Sequence, residues 1–126
     1  MRTAIGALII KAKQLLLVRK KDIWILPGGK LKDGETDLEC LIREIKEELS
    51  GTQICNARQY MEVKGTSPHK GDAVKAVAYF VDLKGELYSP SAEICESKFF
   101  GDTNGYKISN ITSIILEYLI YDGYLK

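Results

Sequence analysis

Hydrophobic and polar positions alternate along this chain with two different periods, and the changes between them mark its elements. Residues 3–10 (TAIGALII) and 14–20 (QLLLVRK) are rich in aliphatic and β-branched side chains and read as two strands. The polar KAKQ between them predicts a hairpin. Residues 22–26 (DIWIL) read as a short strand ended by the PGG at 27–29. Residues 54–65 and 73–83 read as longer strands flanking a polar loop at 66–72, and 96–100 as a last short strand. In two stretches the period becomes helical. Thr36, followed three residues later by Glu39, forms a capping box that starts a helix at Asp37. Leu38, Leu41, Ile42, Ile45 and Leu49 then give that helix an apolar stripe, and Gly51 supplies a left-handed stop. Residues 109–123 show similar spacing and contain Gly123 near their end, predicting a C-terminal helix. Strands interleaved with two helices predict an α/β domain, a mixed sheet between helices.

Composition narrows the possible partners. The 126 residues suit one domain with its own core, and no repeat, linker or low-complexity tract divides residues 1–126. Lys and Arg number 18 against 17 Asp and Glu, a formal charge of +1 that gives no electrostatic case for nucleic acid or a membrane surface. The three cysteines, Cys40, Cys55 and Cys95, are odd in number and form no CxxC pair. That argues against a disulfide framework or a zinc site and points to a cytoplasmic protein. The N-terminal apolar run is short, is closed by Lys11 and Lys13, and has no small-residue cleavage site after it, so it reads as a strand and not a leader. No segment is long enough to span a bilayer. His69 is the single histidine, which excludes a multi-histidine metal site.

The first helix carries the candidate chemistry. At roughly 100° per residue, Glu44, Glu47 and Glu48 fall on one flank, at the rim of the apolar stripe. A solvated acidic face usually pairs each Glu with a cation four residues on, as Glu39 and Arg43 do. Glu44 instead faces Glu48, a like pair that costs a helix about 0.2–0.5 kcal/mol. A bound cation reverses that sign. Hard divalent ions take carboxylate oxygens, and Mg²⁺ uses few of them while a substrate's phosphates complete its shell. The flank therefore reads as a metal platform, with a plain solvated face as the alternative. The glycines of PGG leave backbone bare, so the Gly28 carbonyl can approach a metal or phosphate unobstructed.

Gly29, five residues, Glu35, seven residues, and then Arg43-Glu44-Ile45-Lys46-Glu47-Glu48-Leu49 resembles the Nudix (MutT-like) hydrolase box, here covering about residues 29–51. The flanking LLLVRK, WILPGGKL and SAEICESKFF are also similar to the family. Ser50 and Gly51 depart from it, standing where the family has Gly and an aliphatic residue, which displaces the turn by one position. The resemblance implies a Nudix-type α/β/α sandwich and hydrolysis of a nucleoside diphosphate linked to another group, with Mg²⁺ or Mn²⁺. It makes Glu44, Glu47 and Glu48 metal ligands together with the Gly28 carbonyl, and Glu44 also a candidate general base. Arg43 and Glu35 would orient the cluster through the Arg fork. Glu93 resembles an acid outside the box that assists metal binding or acts as base in some members, and it reads equally as an exposed loop carboxylate. Arg19 and Lys30 match recurrent phosphate-binding positions, with Lys20 a third candidate. Asn110 resembles a purine-reading Asn, its alternative being a helix N-cap. Cys40, where the family often has Ala, reads as a small packing residue.

A chain of this length resembles the small nucleoside-triphosphate pyrophosphatases more than the larger ADP-ribose enzymes, although Pro68 lies near a position where many ADP-ribose hydrolases carry proline. The expected reaction gives nucleoside monophosphate and pyrophosphate. Hydrolysis of ADP-ribose or a dinucleoside polyphosphate, and nucleotide sensing without cleavage, are the alternatives. The implied partner is a nucleotide bound by a monomer or homodimer. Trp24, Tyr60 and Phe80 either stack on a base or belong to the core.

Overall fold

The computed structural model describes residues 2–67, 70–86 and 94–126. Two sheets form where the sequence pattern suggested one. The first contains β1 (Arg2–Leu8), β5 (Gly28–Lys30), β6 (Thr52–Thr66) and β7 (Ala73–Gly85) in the order β5-β1-β7-β6. It is mixed: β1 runs parallel to β7, while β5 and β6 are antiparallel to their neighbours. The second is antiparallel and centred on β3 (Gln14–Lys20), with β8 (Ile94–Phe100) along one edge and β2 (Ile10–Lys11) and β4 (Ile23–Ile25) sharing the other. Helices α1 (Asp37–Glu48) and α2 (Asn110–Tyr121) complete the fold. No helix among the described residues is long and apolar enough to cross a membrane.

Alternation along β1 and β7 explains the layering. Ile5, Ala7, Val77 and Val81 point to one side and pack with Leu41, Ile45 and Leu49 of α1. Leu8 and Ala78 point to the other and pack with Ile115, Leu116 and Leu119 of α2. The mixed sheet thus lies between the helices, an α/β/α sandwich. The predicted hairpin is real only at its tip. Ala12 and Lys13 both take positive φ, of 51° and 60°, the paired left-handed geometry of a two-residue turn. That turn joins β2 to β3, while β1 departs into the other sheet.

Helix α1 begins as its sequence predicts. Thr36 accepts from the Glu39 N–H and the Glu39 carboxylate accepts from the Thr36 N–H. Its packed face is turned from the predicted stripe: Leu38 and Ile42 are 48% and 49% exposed, whereas Cys40 and Glu48 are buried. The Gly28–Gly29 backbone lies against the Cys40, Glu44 and Glu48 flank and covers it. In α2 the N-cap is Ser109, not Asn110.

Candidate active site

Glu48 is the one buried carboxylate among the described residues, 5% exposed, and its Oε1 accepts a 3.0 Å hydrogen bond from the Gly28 N–H. Burial pushes its carboxyl well above the usual carboxylate range, and contact with Glu44 pushes it further, against the pull of that N–H and of Lys20. The sequence put Glu48 at the rim of the packed face, but it lies inside it. Two glycines make room for this pair. Gly28 has a φ of +141°, and a Cβ there would fall 2.0 Å from the Ile5 carbonyl oxygen. A Cβ on Gly29 would fall 2.5 Å from the Glu44 carboxyl carbon. Gly29→Ala is therefore expected to displace Glu44 and lower turnover by roughly tenfold, with little change in melting temperature. Wild-type turnover would mean that Glu44 has no fixed position to lose.

Arg43 ties the helix to the loop before it. Its Nε and Nη2 donate to the two oxygens of Glu35 at 2.8 and 3.0 Å, Nη1 donates to Glu44 Oε1 at 2.6 Å, and Nη2 also reaches the Lys30 carbonyl at 3.1 Å. Through the Arg43 hydrogen bonds, and secondarily the Lys32 N–H, the Glu35 carboxyl is held down at about 2. The same bond to Glu35 holds the guanidinium above its ordinary value. Cys40 is fully buried beneath this network, its Sγ 3.7 Å from the carbonyls of Gly29 and Lys30. Burial pushes its thiol up to about 11, so it is a neutral packing group.

On the α2 side of the mixed sheet, next to Gly28 and Gly29, opens a cleft of about 650 Å³. Arg2, Lys20, Lys21, Lys30 and Lys70 line it, and no acidic side chain does among the described residues. Arg2 is ion-paired with Asp72 at 3.3 Å, yet a near-neutral chain still gathers four lysines at one opening, a field suited to a polyanion. Lys20 and Lys30 line it as candidates for phosphate. Arg19 lies elsewhere, donating to Glu96 at 3.3 Å and to the Lys21 carbonyl at 2.7 Å. Asn110 is exposed, 3.3 Å from the Thr66 hydroxyl, and does not line the cleft. Trp24 is in the core against Phe100, and Tyr60 packs with Phe80 and Tyr124. Glu93, Pro68 and His69 lie outside the described residues.

The sequence pattern of the NUDIX domain matches residues 1–101. The chain belongs to the NUDIX family. A Bacillus subtilis (strain 168) protein named "Putative 8-oxo-dGTP diphosphatase" is 46% identical over 58 residues, which cover 42% of this chain and 39% of that protein. The match thus spans well under half of the relative's length. The structure resembles the MutT NUDIX hydrolase of Burkholderia pseudomallei with a TM-score of 0.79 and 27% identity, over 92% of this chain and 95% of that one. It also resembles an ADP-ribose pyrophosphatase from Streptococcus suis 89-1591, with a TM-score of 0.70 and 23% identity, over 97% and 92% of the two chains. At that identity the second likeness is one of fold.

The NUDIX helix suits a hard divalent ion by its donor chemistry. Among the described residues no three carboxylate, thiol or imidazole side chains already converge as a cage. Glu44 and Glu48 do meet, against the backbone of Gly28 and Gly29, with Glu47 exposed on the same helix. Two or three carboxylates with a backbone oxygen make an incomplete, all-oxygen shell, the kind that Mg²⁺ fills with substrate phosphates and water. Neither Lys21, Lys70 nor Arg2 was singled out from the sequence. They come from separate loops and from the start of β1, so only the folded chain brings them together.

Proposed function

We propose that this NUDIX protein is a divalent-metal-dependent hydrolase that cleaves a nucleoside triphosphate to the monophosphate and pyrophosphate. The observation that carries the reading is the contact between the buried Glu48 and a Glu44 braced by Arg43, beside a cleft whose charged lining among the described residues is entirely cationic. The relative named as a diphosphatase supports the substrate class. Mg²⁺ or Mn²⁺, held by Glu44, Glu47, Glu48 and the Gly28 carbonyl, would neutralise phosphate oxygens and lower the pKa of an attacking water. Lys20, Lys21 and Lys30 hold the phosphate chain, Arg43 and Glu35 fix the direction of Glu44, and the Glu44 carboxylate takes the proton from water. Glu93 is the competing base.

Hydrolysis should require the metal and stop in EDTA. Millimolar Mg²⁺ should also raise the melting temperature, because a ligand at a hundred times its Kd stabilises the folded state by about 2.7 kcal/mol. Among nucleoside triphosphates, ADP-ribose and diadenosine polyphosphates, the triphosphates should turn over fastest, releasing pyrophosphate. Full activity in EDTA, or phosphate released one group at a time, would overturn the mechanism. A clear preference for ADP-ribose would overturn the substrate.

A further inference from the structure

Helix α2 is apolar on more sides than the sheet covers. Glu117 is the single charged residue within it, and a helix apolar all round belongs in an interior. Ile115, Leu116 and Leu119 do pack on the mixed sheet, yet Tyr118, Ile120 and Tyr121 are 52%, 51% and 89% exposed. At helical spacing Glu117, Tyr118 and Tyr121 share the outer face. That face continues into an aromatic cluster at the end of the helix. Tyr124, 39% exposed, lies 5.7 Å from the Tyr60 ring and 4.7 Å from Phe80, and the Arg58 guanidinium stands 5.1 Å over Phe80. The Tyr60 hydroxyl ties the cluster to the helix by donating to Asp122. Tyrosine with arginine is the composition of protein–protein contact surfaces.

Beside Arg58 the surface has a matching hollow. A pocket of about 260 Å³ opens there, with buried Leu8 and Val81 below and exposed Asn56, Arg58 and Asp82 around it. It shares no lining residue with the cationic cleft. Its volume falls below the roughly 300 Å³ at which pockets for free ligands begin, and it suits one side chain with an apolar body and a polar tip. Tyrosine has that character, and Tyr121 is the most exposed large hydrophobic residue among those described.

We propose that this face joins two copies of the chain about a two-fold axis, Tyr121 of each copy entering the Asn56–Arg58–Asp82 pocket of the other, its ring stacked on the Arg58 guanidinium and its hydroxyl donating to the Asp82 carboxylate. A second copy is the occupant because knob and pocket lie on one face, as a closed two-fold contact requires. The face also carries both signs, Arg58 at the pocket and Glu117 on the helix, so turning one copy by 180° brings unlike charges together. Tyr118, Tyr121 and Tyr124 expose the equivalent of nearly two whole side chains, roughly 350–400 Å² at about 200 Å² each. With Ile120 and the pocket rim, the two copies together bury on the order of 1,000 Å², the lower limit for a specific interface. The dimer is therefore a weak one, with a Kd on the order of 10–100 µM. The cleft is lined by the first turns of α2, so a contact at the last turns leaves it clear. Nothing in this contact depends on the reaction proposed above.

The test is sedimentation velocity from about 5 to about 500 µM protein, on wild type, Tyr121→Ala and Asp82→Arg. Wild type should pass from monomer to dimer across that range. Tyr121→Ala removes the knob, and Asp82→Arg fills the pocket with a second cation. Each loses both contacts of the pair, and each should stay monomeric throughout. Both positions are exposed in the single chain, so melting temperatures at about 5 µM should match wild type and show that the variants fold. The deciding arm mixes the two variants. Tyr121→Ala keeps its pocket and Asp82→Arg keeps its knob, so a mixed pair retains one contact. Losing a central anchor weakens association by roughly thirtyfold, so at about 500 µM the mixture should sediment measurably faster on average than either variant alone and slower than wild type. A wild type that is monomeric throughout, a dimer undiminished in Tyr121→Ala, a mixture no faster than its components, or growth into species larger than a dimer would overturn the proposal.

Discussion

Replacing Arg43 by lysine is expected to lower turnover on the order of a hundredfold even though the positive charge is kept. The guanidinium fork makes four hydrogen bonds to oxygen: two to Glu35, one to Glu44 Oε1 and one to the Lys30 carbonyl. An ammonium group on a flexible stem cannot span Glu35 and Glu44 together. The Glu44 carboxylate would then be free to swing, and a misplacement of an ångström in a reacting group costs about that factor. The measurement is kcat at saturating Mg²⁺, with Arg43→Ala alongside. The two variants should be similarly poor, because geometry and not net charge is lost. Lysine activity within a few fold of wild type would show that a point charge suffices.

How far the site can be read from sequence depends on how local each feature is. The capping box, the start of α1 and the Arg43-Glu44 spacing are local, and all were legible. Which flank of α1 is buried is not local. Leu38 and Ile42 are as hydrophobic as Leu41 and Ile45, and only the Gly28–Gly29 backbone, at the β5 edge of the mixed sheet, decides that Cys40 and Glu48 are covered instead. The parting of β1 from β3 after Leu8 is likewise invisible in a hydrophobic run. The α2 side of the cleft was legible only in part: Asn110 is exposed, whereas the neighbouring Ser109 and Thr112 turn inward. The available signal was a Ser three residues before Thr at a helix start, which reads as an ordinary cap until the cleft is seen beside it.

Glu48→Gln should move stability and activity in opposite directions. The folded state raises the Glu48 pKa above its ordinary 4.5, mainly by burial. Stability tied to the protonated carboxyl is therefore full below about pH 4.5 and lost as pH rises through the raised folded value. Glutamine removes that penalty. Its carbonyl oxygen can still accept the Gly28 N–H, and its amide can donate to Glu44. In EDTA at pH 8 the variant should melt several degrees above wild type, and the advantage should shrink toward zero as pH falls to about 5. Glu35, held at about 2 by Arg43, titrates below this window and does not confound it. With Mg²⁺ the order should reverse, because wild type gains the ion and the neutral amide holds it poorly. Turnover should fall by roughly a hundredfold or more, since the charge stabilisation lost with the ion is worth several kcal/mol. Glu47→Gln, at an exposed position, should lose turnover without gaining stability in EDTA. A Glu48→Gln protein that melts below wild type at pH 8 without metal would mean that the buried carboxylate is not a cost to folding, and that the pair with Glu44 is held together by something other than an ion.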